Sequence, residues 1–385
     1  MSSTAVAAME RILRLMRERK ASDLYLSAHA PILVRINGNC LPVSSQPLEL
    51  EAPRRLLAEI VPAARMTELD ASGELNIGLE LPGVGRYRIS AMRQRGSVAA
   101  VVRCIAVDIP PLASLSLPAV LADLVMQKRG LLLLAGAAGS GTSTTLASML
   151  DYRNENAVGH ILSIEDPIEY LFKNKRSVVN QREVGADTAS LQVALKNALR
   201  QSPDVLVVGE IRDHETLSAA LAYAQSGQLC LATLHAANSY QALGRMLGLY
   251  PPEARAGALS DMAAALNAIV SQRLLRTRDG GRTPAVEVLV NRQTIAELIK
   301  AGDFLGVREA LGQSMTEGSQ SFEADIARLI AESRVDRKEG LAHADSSANL
   351  MWRLENDFGR AAATAPDATA DDEPSFTDFT LDVRH

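Results

Sequence analysis

Along the first hundred residues, short apolar runs are punctuated by turn residues. Ile32 to Ile36 is closed by Asn37-Gly38, a dipeptide that accepts the positive φ angles of a tight hairpin. Arg86 to Met92 and Ala99 to Ile105 alternate or run apolar on either side of Gly96-Ser97. This pattern predicts a small mixed α/β domain around an antiparallel sheet. Asp108-Ile109-Pro110-Pro111 then breaks both helix and strand. From Leu117 the pattern changes to buried strands at Leu131–Gly136, Ile161–Glu165, Val205–Glu210 and Leu229–His235, with helical stretches such as Ser190–Gln201 and Glu215–Gln225 between them. Strands alternating with helices predict a parallel sheet covered on both faces, with ligands at its carboxyl edge. Gly257 to Trp352 reads as mostly helical, and the Ala, Thr, Asp and Pro of Ala361–Pro374 read as a disordered acidic tail. The expected division is residues 1–106, a linker at 107–118, a second domain at 119–352 and the tail at 353–385.

Met1 to Lys20 interleaves Ile12, Leu13, Leu15 and Met16 with Glu10, Arg11, Arg14, Arg17 and Arg19, the pattern of an amphipathic helix packed on its own domain and not of a signal peptide. No stretch approaches the length of a membrane span. At 385 residues, two domains and an extension are expected. With 47% hydrophobic and 22% charged residues the composition is that of a soluble globular protein. The net charge of −5, with no Lys/Arg run, argues against a nucleic-acid partner. Cys40, Cys104 and Cys230 form no C-x-x-C pair, which excludes a zinc element or disulfide framework and predicts buried free thiols in a reducing cytosol.

The chemistry concentrates in four boxes, each at the end of a predicted strand. The first is Gly136-Ala137-Ala138-Gly139-Ser140-Gly141-Thr142-Ser143, followed by Thr144. It matches the phosphate-binding pattern G-x-x-x-x-G-K-[S/T] at every position except Lys, where Thr142 stands. The strand before it and a helix from Ser143 to Leu150 place a helix N-terminus at the phosphates. The second box, Ser163-Ile164-Glu165-Asp166-Pro167-Ile168-Glu169-Tyr170, holds three carboxylates in five residues. The third is Val207-Val208-Gly209-Glu210 with Ile211-Arg212-Asp213, and the fourth is Leu231-Ala232-Thr233-Leu234-His235. Phosphoryl transfer to water needs a cation at the phosphates, an oriented water and charge stabilisation. Ser143 suits Mg²⁺, Glu210 the metal and water shell, and Glu169 the general base. Each acid alone reads as a solvated turn residue; the ordered set of four points to an ATP site.

This set resembles the secretion/pilus ATPase superfamily, and within it the PilT/PilU type of type IV pilus retraction ATPases. Ala21-Ser22-Asp23-Leu24, Gly85-Arg86-Tyr87-Arg88-Ile89, Asn180-Gln181-Arg182-Glu183-Val184, Ala194–Arg200 and Gly318–Phe322 agree with it. The stretch from Tyr152-Arg153-Asn154 to Leu199-Arg200, together with the tail, favours the PilU-like accessory branch. The resemblance implies an α/β protein with a PAS-like N-terminal domain and a RecA-like P-loop core. It implies a cytoplasmic homo-hexamer, peripheral to the inner membrane at the pilus base, that binds ATP and Mg²⁺ beside a paralogous retraction ATPase and an inner-membrane platform protein. By motif, Glu169 matches the catalytic glutamate, Glu210 the Walker B glutamate and His235 the second histidine of the His box. Arginines of the N-terminal domain reach the nucleotide in the family; Arg95 and Arg103 are the candidates here, with Arg88 and Arg93 as alternatives.

Three departures bear on function: Thr142 replaces Lys, Ala138 replaces the loop's usual Thr, and Gln228 replaces the first His of the His box. A missing charge at the phosphates lowers turnover by roughly 100-fold, while backbone N–H groups still bind them. The open readings are a subunit that binds ATP but hydrolyses it weakly, a motor with a substitute cation, and a nucleotide-independent hexameric adaptor.

Overall fold

The computed structural model describes residues 7–36, 39–105, 108–313 and 316–358. Six short strands form the first sheet: β1 (Asp23–Leu26), β2 (Leu33–Ile36), β3 (Asn39–Pro42), β4 (Glu74–Leu81), β5 (Gly85–Gln94) and β6 (Ser97–Ile105). Their order is β3-β2-β1-β6-β5-β4, and each neighbouring pair is antiparallel. One face is covered by α1 (Ala8–Glu18), α2 (Ala52–Ala58) and α3 (Ala63–Ser72). Met9, Leu13 and Met16, spaced to share one side of α1, are fully buried in this core, whereas Arg11, Arg14 and Arg17 are exposed. The amphipathic pattern at the N-terminus is thus explained by packing on its own sheet. Tyr87 of β5, also fully buried, donates its hydroxyl to the Leu13 carbonyl at 3.0 Å.

The second sheet has seven strands: β7 (Gly130–Gly136), β8 (Gly159–Glu165), β9 (Ser177–Glu183), β10 (Val205–Val208), β11 (Leu229–Leu234), β12 (Leu266–Arg276) and β13 (Arg282–Val290). They are ordered β13-β12-β7-β11-β10-β8-β9. From β12 to β9 each pairing is parallel. Strand β7 is buried throughout, and the alternation of strand side chains divides it between two layers. Leu131, Leu133 and Ala135 pack with α6 (Leu191–Ala198), α7 (His214–Gln225), α8 (Ser239–Gly248), α9 (Arg255–Ala265), α10 (Thr294–Ala301) and α11 (Phe304–Gly312). Leu132 and Leu134 pack with α4 (Val120–Val125) and α5 (Thr142–Asn156). Burial on both faces is why these strands read as continuous apolar runs.

The chain divides into two compact units, one comprising the residues up to Leu274 with Val286–Ser321, the other Leu275–Ala285 with the residues from Phe322. The second unit contains α12 (Phe322–Ala331), α13 (Arg337–His343) and α14 (Ser347–Arg353). Its core gathers Leu275, Ala285, Phe322, Ile326, Leu329, Val335 and Leu350.

Several expectations need correction. The region from residue 257 to 352 contains two long strands, β12 and β13, as well as helices. Their β-branched residues, Ile269-Val270 and Val286, Val288 and Val290, lie on either side of the Gly280-Gly281 turn, a compositional strand cue that the periodicity of these apolar runs does not carry. Strand β9 was likewise unanticipated, because a polar edge strand lacks an apolar run. Strand β10 ends at Val208, which places Gly209 and Glu210 in the loop beyond it. Of the three free cysteines, Cys230 is buried but Cys40, on edge strand β3, is exposed. The expected tail begins as helix, since α14 runs to Arg353 and a helical turn continues over Leu354–Phe358; its remainder, from residue 359, and the Asn37-Gly38 turn lie outside the described residues.

A charged contact ties the two sheets. Arg86 of β5 meets Glu183 of β9 at 3.0 Å, with side chains only 12% and 10% exposed. Glu183 also accepts the Ile168 N–H at 3.1 Å. Gly78 of β4 leaves room for the pair, since a Cβ there would lie 3.0 Å from the Glu183 carboxylate. Replacing Arg86 with Met is expected to lower stability by about 1–3 kcal/mol, read from chemical denaturation. An unchanged midpoint would show the pair to be screened by solvent.

Candidate functional site

Parallel pairing brings the four boxes side by side. Strands β7, β11, β10 and β8 are consecutive in the sheet, so Gly136, Leu234, Val208 and Glu165 end together at its carboxyl edge. A cleft of about 580 Å³ lies there. Ala137, Ala138, Gly139, Thr142, Ser143, Glu169, Glu210 and His235 line it, and so do Arg88 and Arg103 from the first sheet.

The loop leaves β7 at Gly136 and enters α5 at Thr142. Gly139 and Gly141 take φ of +81° and +89°, left-handed values that the motif's glycines permit without strain. No side chain among the described residues caps the N-terminus of α5, so its first N–H groups are open to an anion. Thr144 shares a 2.8 Å hydroxyl contact with Tyr170, which joins the first turn of α5 to the Glu169 loop. Beneath the loop, Gln272 of β12 donates to the Ser140 carbonyl at 2.8 Å and accepts from the Thr145 hydroxyl at 2.7 Å. Gln272 and Thr145 escaped sequence reasoning, because nothing in a lone Gln sets it apart and β12 was not foreseen.

Both acids line the cleft, Glu169 exposed and Glu165 half-buried. Burial pushes the Glu165 carboxyl up, and the nearby Glu169 charge adds to the rise. Hydrogen bonds from Ser163 Oγ at 2.6 Å, Gln181 Nε2 at 3.1 Å and the Glu169 backbone oppose it. Glu210 is gripped from two sides. Arg212 donates Nε to its Oε2 at 2.8 Å, and His235 Nε2 lies 3.2 Å from Oε1. The other ring nitrogen of His235 lies 3.2 Å from the Gly136 carbonyl, so both nitrogens face oxygen acceptors. Arg212 also reaches Asp166 at 3.4 Å, and the hydrogen bond to Glu210 raises its guanidinium pKa further. Asp213, also on the cleft lining, caps α7 by accepting the Thr216 N–H at 2.7 Å, a bond that holds its carboxyl below the usual range.

The arginine candidates separate. Arg88 and Arg103 are directly opposite each other on β5 and β6. Arg103 is paired with buried Asp23 at 2.8 Å, while Arg88 has no ion pair among the described residues. Two like charges opposed across strands are unfavourable alone, so this wall suits an anion. Arg95 sits at the tip of the β5–β6 hairpin with φ +47°, followed by Gly96 at +77°. At about 3.4 Å per residue it lies about 24 Å along the strand from Arg88 and does not line the cleft. Arg93, the other alternative, also lies outside the cleft lining and turns toward the Asp70 carbonyl.

Fold and site together define an α/β phosphate-loop protein whose N-terminal sheet contributes arginines to the cleft. The family model for type II/IV secretion system proteins matches residues 6–329. The type IV pilus ATPase PilU of Pseudomonas aeruginosa is 42% identical over 346 residues, covering 90% of this chain and 91% of the relative. The retraction ATPase PilT of the same organism is 34% identical over 327 residues, covering 85% and 95%. The crystal structure of the pilus retraction motor PilT with bound ADP matches with a TM-score of 0.83 at 35% identity, covering 90% of this chain and 99% of that one. The chain belongs to the type II/IV secretion system protein family, in its PilT/PilU group of type IV pilus retraction ATPases, and has that group's RecA-like core behind an N-terminal sheet domain. No helix among the described residues is long and apolar enough to cross a membrane.

Because the folded pKa of Glu165 lies above its unfolded value, the unfolded chain releases this proton first as pH rises. The carboxyl therefore opposes folding above its folded pKa and has no effect below its unfolded pKa. Glu165→Gln keeps an acceptor for Ser163 and Gln181, and its stability relative to the parent is expected to rise progressively as pH increases above the ordinary glutamate value of about 4. Paired denaturation curves at several pH values test this, and a constant difference would refute it.

Proposed function

We propose that this chain is a PilU-like subunit of a type IV pilus retraction machine that binds ATP with Mg²⁺ and hydrolyses it weakly. The observation that carries the reading is a phosphate loop with its left-handed glycines, open helix N-terminus and neighbouring carboxylates in place, but with Thr142 at the position of the motif's cation. Backbone N–H groups of the loop and the first turn of α5 would hold the phosphates. The Ser143 hydroxyl and Glu210 carboxylate, both on the cleft wall, are the oxygen donors that a hard divalent cation takes. When bound, Mg²⁺ supplies charge neutralisation to the phosphate oxygens. Glu169 would orient an attacking water and accept its proton, a role its exposure to the cleft supports. His235 and Arg212 hold Glu210 in place.

With Thr142 uncharged and Arg212 held by Glu210 and Asp166, the phosphates are left with Arg88, which has no ion pair among the described residues, and with Arg103, which shares its charge with Asp23. Weak hydrolysis follows, since the charge normally fixed on the loop must come from another domain. A ring supports this reading, because arginines outside the cleft, Arg95 among them, could serve a neighbouring subunit's site. We infer a homo-hexamer with head-to-tail contacts that close. It would act in the cytoplasm at the inner-membrane platform, beside an active retraction paralogue.

At about 4 Å and an effective dielectric near 20, one charge pair contributes at most roughly 4 kcal/mol. A third of that is about tenfold in rate. Thr142→Lys is therefore expected to raise turnover by at least about tenfold, and adding Glu169→Gln to abolish the gain. If the lysine variant binds ATP but stays at background turnover, the chain is a silent adaptor and not a weak motor. Light scattering should show a ring in the presence of ATP; only monomer at micromolar concentration would sink the hexamer.

A further inference from the structure

Gln272 sits under the phosphate loop and is 3% exposed. Strand register sets it beside Gly136, where the loop begins. Its amide has two arms: Nε2 donates to the Ser140 carbonyl at 2.8 Å, and Oε1 accepts from Thr145, in the first turn of α5, at 2.7 Å. The fit is close, because a Cβ on Gly141 would lie 2.7 Å from Nε2. The last glycine of the motif thus makes room for this side chain as well as for the backbone's left-handed turn.

The geometry has a consequence for anion binding. In a trans peptide the carbonyl and the following N–H point in opposite directions. Drawing the Ser140 carbonyl inward to Gln272 therefore turns the Gly141 N–H outward, on the face of the loop away from the core. A buried carbonyl without a donor would be unfavourable, so an inward carbonyl here needs a group such as the Gln272 amide. A loop with lysine can hold phosphates by charge even when its amides are imperfectly aimed, but this loop has Thr142 and depends on the amides.

We propose that Gln272 is a positioning residue for nucleotide phosphates, acting through the peptide between Ser140 and Gly141. The proposal rests on the nucleotide reading above. Its test is titration of the full-length protein with a fluorescent ADP analogue, the parent being measured first, alongside thermal unfolding without nucleotide. Gln272→Leu and Gln272→Met remove both arms at similar volume and are expected to weaken binding by about tenfold. Thr145→Val removes only the contact to α5 and is expected to weaken it by less than about threefold. Equal affinity in parent and folded Gln272 variants would overturn the proposal. So would an equal loss in Thr145→Val, which would assign the effect to general loosening, or failure of both Gln272 variants to fold, which would make the residue structural. If the parent itself binds no nucleotide, the nucleotide reading falls, and this proposal with it.

Discussion

The site depends on the burial of β7 on both faces. Five apolar residues from Leu131 to Ala135 alternate between two hydrophobic layers, and β11 and β12 pair in parallel on either side. A strand so enclosed leaves the sheet only at its end, and it does so at Gly136. Parallel pairing then aligns the ends of β11, β10 and β8 beside it, which is why residues as distant in sequence as Gly136 and His235 come within 3.2 Å. The chemistry of the cleft follows from a packing constraint, since its four boxes are the exits of four buried strands.

Charge then sorts the cleft into two walls. On the core wall, Arg212 and His235 hold Glu210, and Glu165 is half-buried beside them. On the opposite wall, Arg88 and Arg103 face each other with Asp23 as their nearby counter-charge. The Arg86–Glu183 pair joins the walls and lies two residues from Arg88 on the same strand, hence on the same face. A contact that holds the sheets together therefore also determines where the cationic wall stands.

Much of this was legible from residue patterns, and the failures have physical causes. The phosphate loop, the acidic boxes and His235 could be found because each follows a run of buried apolar residues, the strongest signal a parallel sheet gives. Strand β9 was missed because its sequence, Ser177 to Glu183, is mostly polar, as an edge strand's can be. Strands β12 and β13 were missed because a run such as Leu266–Arg276 does not separate strand from helix by periodicity. With β12 went Gln272, whose contacts to Ser140 and Thr145 join positions more than a hundred residues apart. The arginines were only half legible: hairpin register brings Arg88 and Arg103 to the cleft and carries Arg95 to the far end, and composition contains no register.

Thr142 changes what the two walls mean for each other. In a loop that carries lysine, the cation for the phosphates travels with the loop, and the site's charge balance is largely complete within the core. Here the loop supplies N–H dipoles alone, and the full charges stand on β5 and β6. Coulomb attraction falls with distance and is weakened by intervening water, so phosphate affinity in such a site varies steeply with the gap between the sheets. By reciprocity, a bound phosphate pulls the sheets together with the same free energy by which their closure tightens binding. A loop that has lost its lysine is in this sense more strongly coupled to the N-terminal sheet than one that keeps it.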